Sequence, residues 1–163
     1  MAEYGIHTVL VSSKSKARPA CAVCQGKVVD MRPVSLSGYP SIYEYGYGKP
    51  EGVRGINCGH DLYPYIEGVT TNNQPQYRAD EAIKNERIEQ RRKELARRIV
   101  KTKKMLMVTT ELQTEGQDYY SKLLRKQQAQ MRLFIEKNKN EVTFNVRRMY
   151  QYEKVYTPLE TLL

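Results

Sequence analysis

The stretch NNQPQYRADEAIKNERIEQRRKELARRIVKTKKMLMVTTELQ, residues 72–113, decides how the rest of the chain is read. After Pro75 it contains neither glycine nor proline, and Ile88, Leu95, Ile99 and Leu106 recur at spacings of seven, four and seven, an apolar stripe at helical period. Asp80–Lys84, Glu89–Lys93 and Glu94–Arg98 stand four residues apart with the acid first, the order that supports a helix. TEGQD at 114–118 breaks the pattern, and Tyr120, Leu124, Met131, Phe134 and Ile135 then share one side of a second helix. Two helices joined by a short break predict an antiparallel hairpin over residues 76–140. At ~1.5 Å per residue its arms are roughly 35–50 Å long. Each stripe is narrow, so neither arm is expected to be stable without the other or a neighbour. Beyond Asn138 the pattern weakens, and residues 141–163, ending in VYTPLETLL, read as a tail.

Upstream the character is different. HTVLVSS (7–13) and KVVDM (27–31) are short β-branched runs that predict two strands, with KARPACAVCQG (16–26) as a structured loop between them. Residues 37–76 are dense in glycine, proline and tyrosine; such a segment cannot sustain a long helix, while its tyrosines offer large apolar faces for packing. Residues 1–75 are therefore expected to form a compact, loop-rich unit with little regular structure. The fold class predicted is α+β: a small loop-rich N-terminal α+β unit followed by a long antiparallel helical hairpin.

Composition bounds the function. With 163 residues, 40% of them hydrophobic, and a mean hydropathy of −0.68, the chain can bury a modest core. No apolar run approaches the roughly 20 residues of a membrane span, and the opening MAEYGIHTVLVSSKSK has no signal-peptide core, so neither membrane nor export is expected. The net charge of +9 is uneven: residues 1–83 balance eight Lys/Arg against eight Asp/Glu, whereas residues 84–154 carry 19 against nine. Arg91, Arg92, Arg97, Arg98, Lys101, Lys103 and Lys104 cluster in the first arm, the kind of face that phosphate contacts need. No aromatic residue interleaves there to stack on bases, so any nucleic-acid binding is expected to ignore sequence. The alternative reading is a solvated helical surface.

The sharpest chemical constellation is Cys21-x2-Cys24 with Cys58-x-His60, which gathers all three cysteines and one of the two histidines. Thiolates with imidazole suit zinc, and these four are the expected ligands of a closed structural site. The competing reading takes the cysteines as small buried hydrophobes and His60 as a hydrogen-bonded core histidine. A redox CxxC lacks a βαβ context. His7 opens a strand with no acid or nucleophile beside it in sequence. Gly46, Gly48, Gly52 and Gly55 lack a Walker-type lysine and read as turn formers. Asp30, Glu44, Glu51, Asp61 and Glu67 are scattered among turns, so nothing here demands an enzyme.

Four strings, in order, resemble the C-terminal region of the phage minor capsid protein 2 family, relatives of the Mu-type head morphogenesis proteins. They are VSSKSKARPACAVCQGKVV (11–29), SGYPSIYEYGYGKPEGVRGINCGHDLYPYIEGV (37–69), RRKELARRIVKTKK (91–104) and LRKQQAQMRLFIEKN (124–138). The resemblance runs over roughly residues 9–156, and its specific parts are ARPAC-x-x-CQGKV (17–28) and GINCGHDLYPYIEGV (55–69). Members of that family often carry His at the place of Lys14, an aromatic at Cys24 and Arg at Gly59. Their longer N-terminal helical portion, the expected portal-binding element, precedes the region matched here. The resemblance implies a non-enzymatic minor head protein, located in the virion and in the host cytoplasm during assembly. Its implied partners are the portal and other head proteins, with packaged DNA as a non-specific contact. Rival readings are a metal-dependent nuclease or toxin-like enzyme built on Cys21, Cys24, Cys58 and His60, and a stand-alone non-specific DNA-binding protein.

Overall fold

The computed structural model describes residues 5–141. Its elements in chain order are strand β1 (Thr8–Val11), a single helical turn α1 (Pro19–Ala22), strand β2 (Val28–Asp30), a 3-10 turn (Ile42–Tyr45), strand β3 (Leu62–Pro64), and two long helices, α2 (Ala79–Glu111) and α3 (Gln117–Asn138). The fold is thus α+β, with α2 and α3 packed on each other as a hairpin. The described residues form two compact units that meet between Arg87 and Ile88, about two and a half turns inside α2. Apart from Glu141, the tail expected over 141–163 lies outside the described residues.

In the first unit β1 is central and antiparallel to both neighbours, in the order β2-β1-β3, with Val9 opposite Val29 on one side and Pro64 on the other. The two runs read as strands from their β-branched residues are β1 and β2. β3 and α1 escaped that reading because Leu62–Pro64 has no β-branched run and the single turn Pro19–Ala22 is too short to show a helical period. β3 is stabilised by its partner instead: Tyr65 N–H donates to Thr8 O at 3.0 Å and Ser12 N–H to Asp61 O at 2.9 Å. Pro64, which has no N–H to give, sits on an outer strand, the position a sheet tolerates. Val9, Val11, Val29, Ile42, Val53 and Cys24 are fully buried in one cluster, with Tyr45, Tyr47 and Leu62 closing its rim. The tyrosines pack as their composition suggests: Tyr43 stands edge-on to Tyr47 at 5.5 Å and Tyr39 to Tyr65 at 5.9 Å. A second cluster seats α1 on the first turns of α2 through small residues, Ala17, Cys21 and Ala22 against Ala79, Ala82 and Ile83.

The turn that leaves β2 is organised by one buried carboxylate. Asp30 is fully buried and accepts from Arg32 Nε (2.9 Å) and Nη2 (2.6 Å), from the backbone N–H groups of Arg32 and Leu36, and from Ser37 Oγ at 2.7 Å. The Arg32 guanidinium, with these other donors, holds the Asp30 carboxyl far below the usual carboxylate range, against the opposing effect of burial. The chain then enters the 3-10 turn through a reciprocal cap, Ser41 Oγ accepting from Tyr43 N–H and Glu44 Oε1 from Ser41 N–H. Gly52 must be glycine because a Cβ there would lie 1.8 Å from Gly46 O.

In the second unit Leu95, Ile99 and Met131 are buried together with Ala96, Leu124, Phe134 and Ile135 around them. The seam repeats at 95, 99, 102, 106 and 109, but Thr102 and Thr109 fill two of those places, which is why the apolar pattern alone shows only part of it. Thr109 Oγ1 donates back to Met105 O and Leu106 O at 3.0 Å, so its hydroxyl is satisfied within the helix. Between the arms, Gln113 (φ 49°) and Gly116 (φ 117°) turn the backbone through the left-handed region. Among the described residues no helix is long and apolar enough to cross a membrane.

Two stability effects are expected. Ile42→Ala, at a fully buried core site, destabilises by about 2–5 kcal/mol in urea unfolding at neutral pH. Asp30 has a depressed folded-state pKa, so its contribution is complete above the unfolded-state value of about 3.9 and is lost as pH falls below that. Asp30→Asn should therefore lower stability at pH 7 and make the fall in stability between about pH 4 and pH 2 shallower than in wild type. An unchanged acid limb would count against the role given to Asp30.

Candidate functional site

The structure brings together three of the four residues expected from the Cys/His spacing. Cys21 lies in α1, a turn begun by Pro19 at its first position; Cys58 and His60 lie in the loop that leads into β3. Cys21 Sγ and Cys58 Sγ are 3.6 Å apart, Cys58 Sγ is 3.8 Å from His60 Nδ1, and a ligand atom of each lies within 4.8 Å of the others. Cys24 does not join them. Its Sγ points back to Cys21 O at 3.4 Å, and its side chain belongs to the sheet core with Val9 and Val53. The turn of α1 that presents Cys21 to the loop carries Cys24, three residues on, around to the sheet.

Residues that the spacing does not reveal hold this cluster. Arg18 Nη2 donates to Gly52 O at 2.9 Å and lies 3.7 Å from Cys21 Sγ, while Nη1 donates to Ile56 O, so one guanidinium clamps the loop onto α1. Lys14 Nζ donates to Gly59 O, and Arg54 Nη1 to His60 O at 2.8 Å. Gln25 sets the histidine. Its Oε1 accepts from Lys14 N–H at 3.0 Å, which identifies that atom as the oxygen, so His60 Nε2 at 3.1 Å must be the donor. His60 Nδ1 is then left with a lone pair toward Cys58. Arg18 and Gln25 stand in the family-specific string ARPAC-x-x-CQGKV, but no spacing rule marks either as a partner of Cys58 or His60.

Electrostatics separate the three thiols. Burial pushes Cys24 up to about 12, with the neighbouring thiols adding to the effect. Burial and then Cys58 push Cys21 up to about 11, with Arg18 opposing them. Burial also raises Cys58, but the backbone N–H groups of His60 and Arg54, then Cys21 and Arg18, outweigh it and bring this thiol below its ordinary value. His60 is held below its usual value by burial and by Lys14 and Arg18, so its imidazole is neutral at pH 7.

The basic residues of α2 divide into two sets. Arg91, Arg97, Arg98, Lys101 and Lys104 are exposed, whereas Arg92 and Lys103 are half-buried. At 100° per residue, the exposed five and Lys93 span an arc of about 160° that runs from Arg91, beside Leu95, around the face away from the seam. Lys93 is exposed too and joins this face, although the sequence clustering passed it over. Arg92 pairs with Glu89 at 2.6 Å, both side chains only 15% and 12% exposed. Glu94 takes both Arg91 and Arg98; Arg97, Lys101 and Lys104 make no ion pair among the described residues.

The comparisons place this chain in a family of phage structural proteins. The chain belongs to the phage minor capsid protein 2 family, whose model matches residues 1–136. It is similar to a protein named structural protein from Lactococcus phage LL-H, 47% identical over 105 residues, covering 62% of this chain and 28% of that protein's length. A second protein of the same name, from Lactococcus phage mv4, is 38% identical over 118 residues, covering 72% of this chain and 92% of its own. No solved structure matches the chain.

Burial and charge set an order of thiol reactivity. In reduced, chelator-treated protein, Cys58 should be alkylated first and Cys24 last, read by peptide mass spectrometry over a time course. Cys24 reacting as fast as Cys58 would contradict the burial of its thiol.

Proposed function

We propose that this chain is a structural component of the phage head that acts by protein contact and not by catalysis, in head assembly or in portal-associated packaging or release of DNA. The observation that carries this reading is the family match over residues 1–136, supported by two relatives that are both named structural proteins. In this reading the protein resides in the virion, passes through the host cytoplasm during assembly, and has the portal and other head proteins as partners.

The exposed arc of α2 supports a second contact, with packaged DNA. Arg91, Lys93, Arg97, Arg98, Lys101 and Lys104 present cations on one face, and Glu94 is the acid that pairs with two of them. Such a face meets phosphate at very high concentration inside a filled head, so weak affinity suffices. Binding driven by counterion release falls steeply with salt and is indifferent to base sequence.

Two measurements test these readings. Purified virions should contain the chain, and tagged protein should co-purify with portal or other head proteins from an infected lysate; absence from virions would remove the head assignment. Duplex DNA binding at low salt should show a log–log salt slope that the Arg91→Gln, Arg97→Gln, Arg98→Gln and Lys101→Gln quadruple variant flattens by roughly one unit per lost phosphate contact. Arg92→Gln should leave that slope unchanged, because Arg92 is engaged with Glu89 beside the hairpin seam. No binding by wild type at low salt would sink the DNA contact while leaving the head assignment standing.

A further inference from the structure

We propose that Cys21, Cys58 and His60 bind one zinc ion through Sγ, Sγ and Nδ1, with water at the fourth corner, and that this ion ties the loop before β3 to α1. The inference does not depend on the head assignment.

Distance is the first argument. Around a tetrahedral zinc ion, with sulfur at about 2.3 Å and nitrogen at about 2.0–2.1 Å, neighbouring sulfurs stand about 3.8 Å apart and a sulfur and nitrogen about 3.5 Å apart. Here the two sulfurs are 3.6 Å apart, and Cys58 Sγ is 3.8 Å from His60 Nδ1. Ordinary packing also permits such spacings, so the orientation of the donors matters more. The Lys14–Gln25–His60 hydrogen bonds fix the neutral tautomer with its hydrogen on Nε2, which turns the free lone pair of Nδ1 toward the sulfurs. A metal-bound histidine is oriented in the same way, by a hydrogen bond from its other ring nitrogen.

The surroundings of Cys58 agree, whereas Cys21, which burial keeps protonated, would release its proton on binding the metal. Backbone N–H groups of Arg54 and His60 approach Cys58 Sγ, and the Arg18 guanidinium approaches both thiols. N–H donors aimed at sulfur stabilise thiolate, the form that binds metal. Two thiolates and a neutral imidazole give zinc a neutral complex, so the adjacent Arg18 and Lys14 face no net positive charge. Soft sulfur with imidazole nitrogen favours zinc over harder divalent ions. Cys21 is fully buried and His60 nearly so, while Cys58 is only half-buried, which leaves an approach for the ion and its water. Cys24, committed to the sheet core, is not a ligand.

The test uses the full chain, reduced and purified without chelator, then supplied with zinc chloride and desalted. Elemental analysis should find about one zinc per chain, and X-ray absorption should find two sulfurs and two nitrogen or oxygen atoms around it. Cys58→Ser and His60→Ala should fall below about 0.1 equivalent, and Gln25→Ala should weaken zinc affinity about 10–100-fold through loss of the histidine's orienting bond. Cys24→Ala should keep the metal. Should these variants fail to fold, the wild-type stoichiometry and sulfur count decide alone. Less than about 0.1 equivalent in wild type, or a Cys21–Cys58 disulfide in place of the metal, overturns the site. A third sulfur in the shell overturns the exclusion of Cys24.

Discussion

Asp30 is a carboxylate with no contact with solvent, and much of the small N-terminal unit is arranged to keep it charged. A buried charge is tolerated only when paired and fully hydrogen-bonded. Arg32 supplies the pair, and the backbone and serine hydroxyls of the turn after β2 supply the remaining donors. Meeting that demand folds residues 31–37 around one side chain and brings Ser41 alongside Asp30, where it starts the 3-10 turn carrying Ile42 into the core. The same logic runs through the unit. Its three strands contain four, three and three residues, so they leave many loop groups unpaired, and side chains answer them. Asn72 and Gln76 bond to Gly26 O, Gln74 to Ser13 N–H and Ser12 Oγ to Asp61 N–H.

Arg18 plays the corresponding part on the other side of the unit. Its guanidinium reaches Gly52 O, Ile56 O and the thiol of Cys21, so the loop carrying Cys58 and His60 is held against α1 without a strand or helix of its own. This explains how a segment rich in glycine and proline can still present two side chains at a defined separation from a third. The CxxC spacing does not bring its two thiols into one cluster. Cys24 lies past the end of α1 at Ala22, and the two thiols leave on different sides, one toward the loop and one toward the sheet.

The hairpin obeys a simpler rule. Its seam is narrow, interrupted by Thr102 and Thr109, and the rest of the α2 surface is mostly polar, apart from the exposed Met105, Met107 and Val108. Charge on this helix sorts largely by angle: Lys93, Arg97, Lys101 and Lys104, across from the seam, stay exposed, while Arg92, beside Ile99, is drawn into a half-buried pair with Glu89. Surface pairs like those of Glu94 contribute little to stability, so the exposed cations stay available to an outside partner.

The helical hairpin was legible from the sequence because helical periodicity accumulates over many residues, and so were β1 and β2, whose β-branched runs stand between glycine and proline. The charge imbalance and the family strings were equally plain. β3, α1 and the 3-10 turn were not, because Leu62–Pro64 has no β-branched run and one turn of helix shows no period, so these elements exist only through what they pair with or cap. Cys21, Cys58 and His60 were visible as types and spacings, but which thiols meet the imidazole depended on the direction each side chain takes from its own turn. The roles of Arg18 and Gln25 were hidden for the same reason, since both act through atoms brought close from some 35 residues away. Local pattern by itself determined the elements that repeat. Tertiary structure alone decided the cluster and the split of the basic residues, because both depend on which face of a turn is buried.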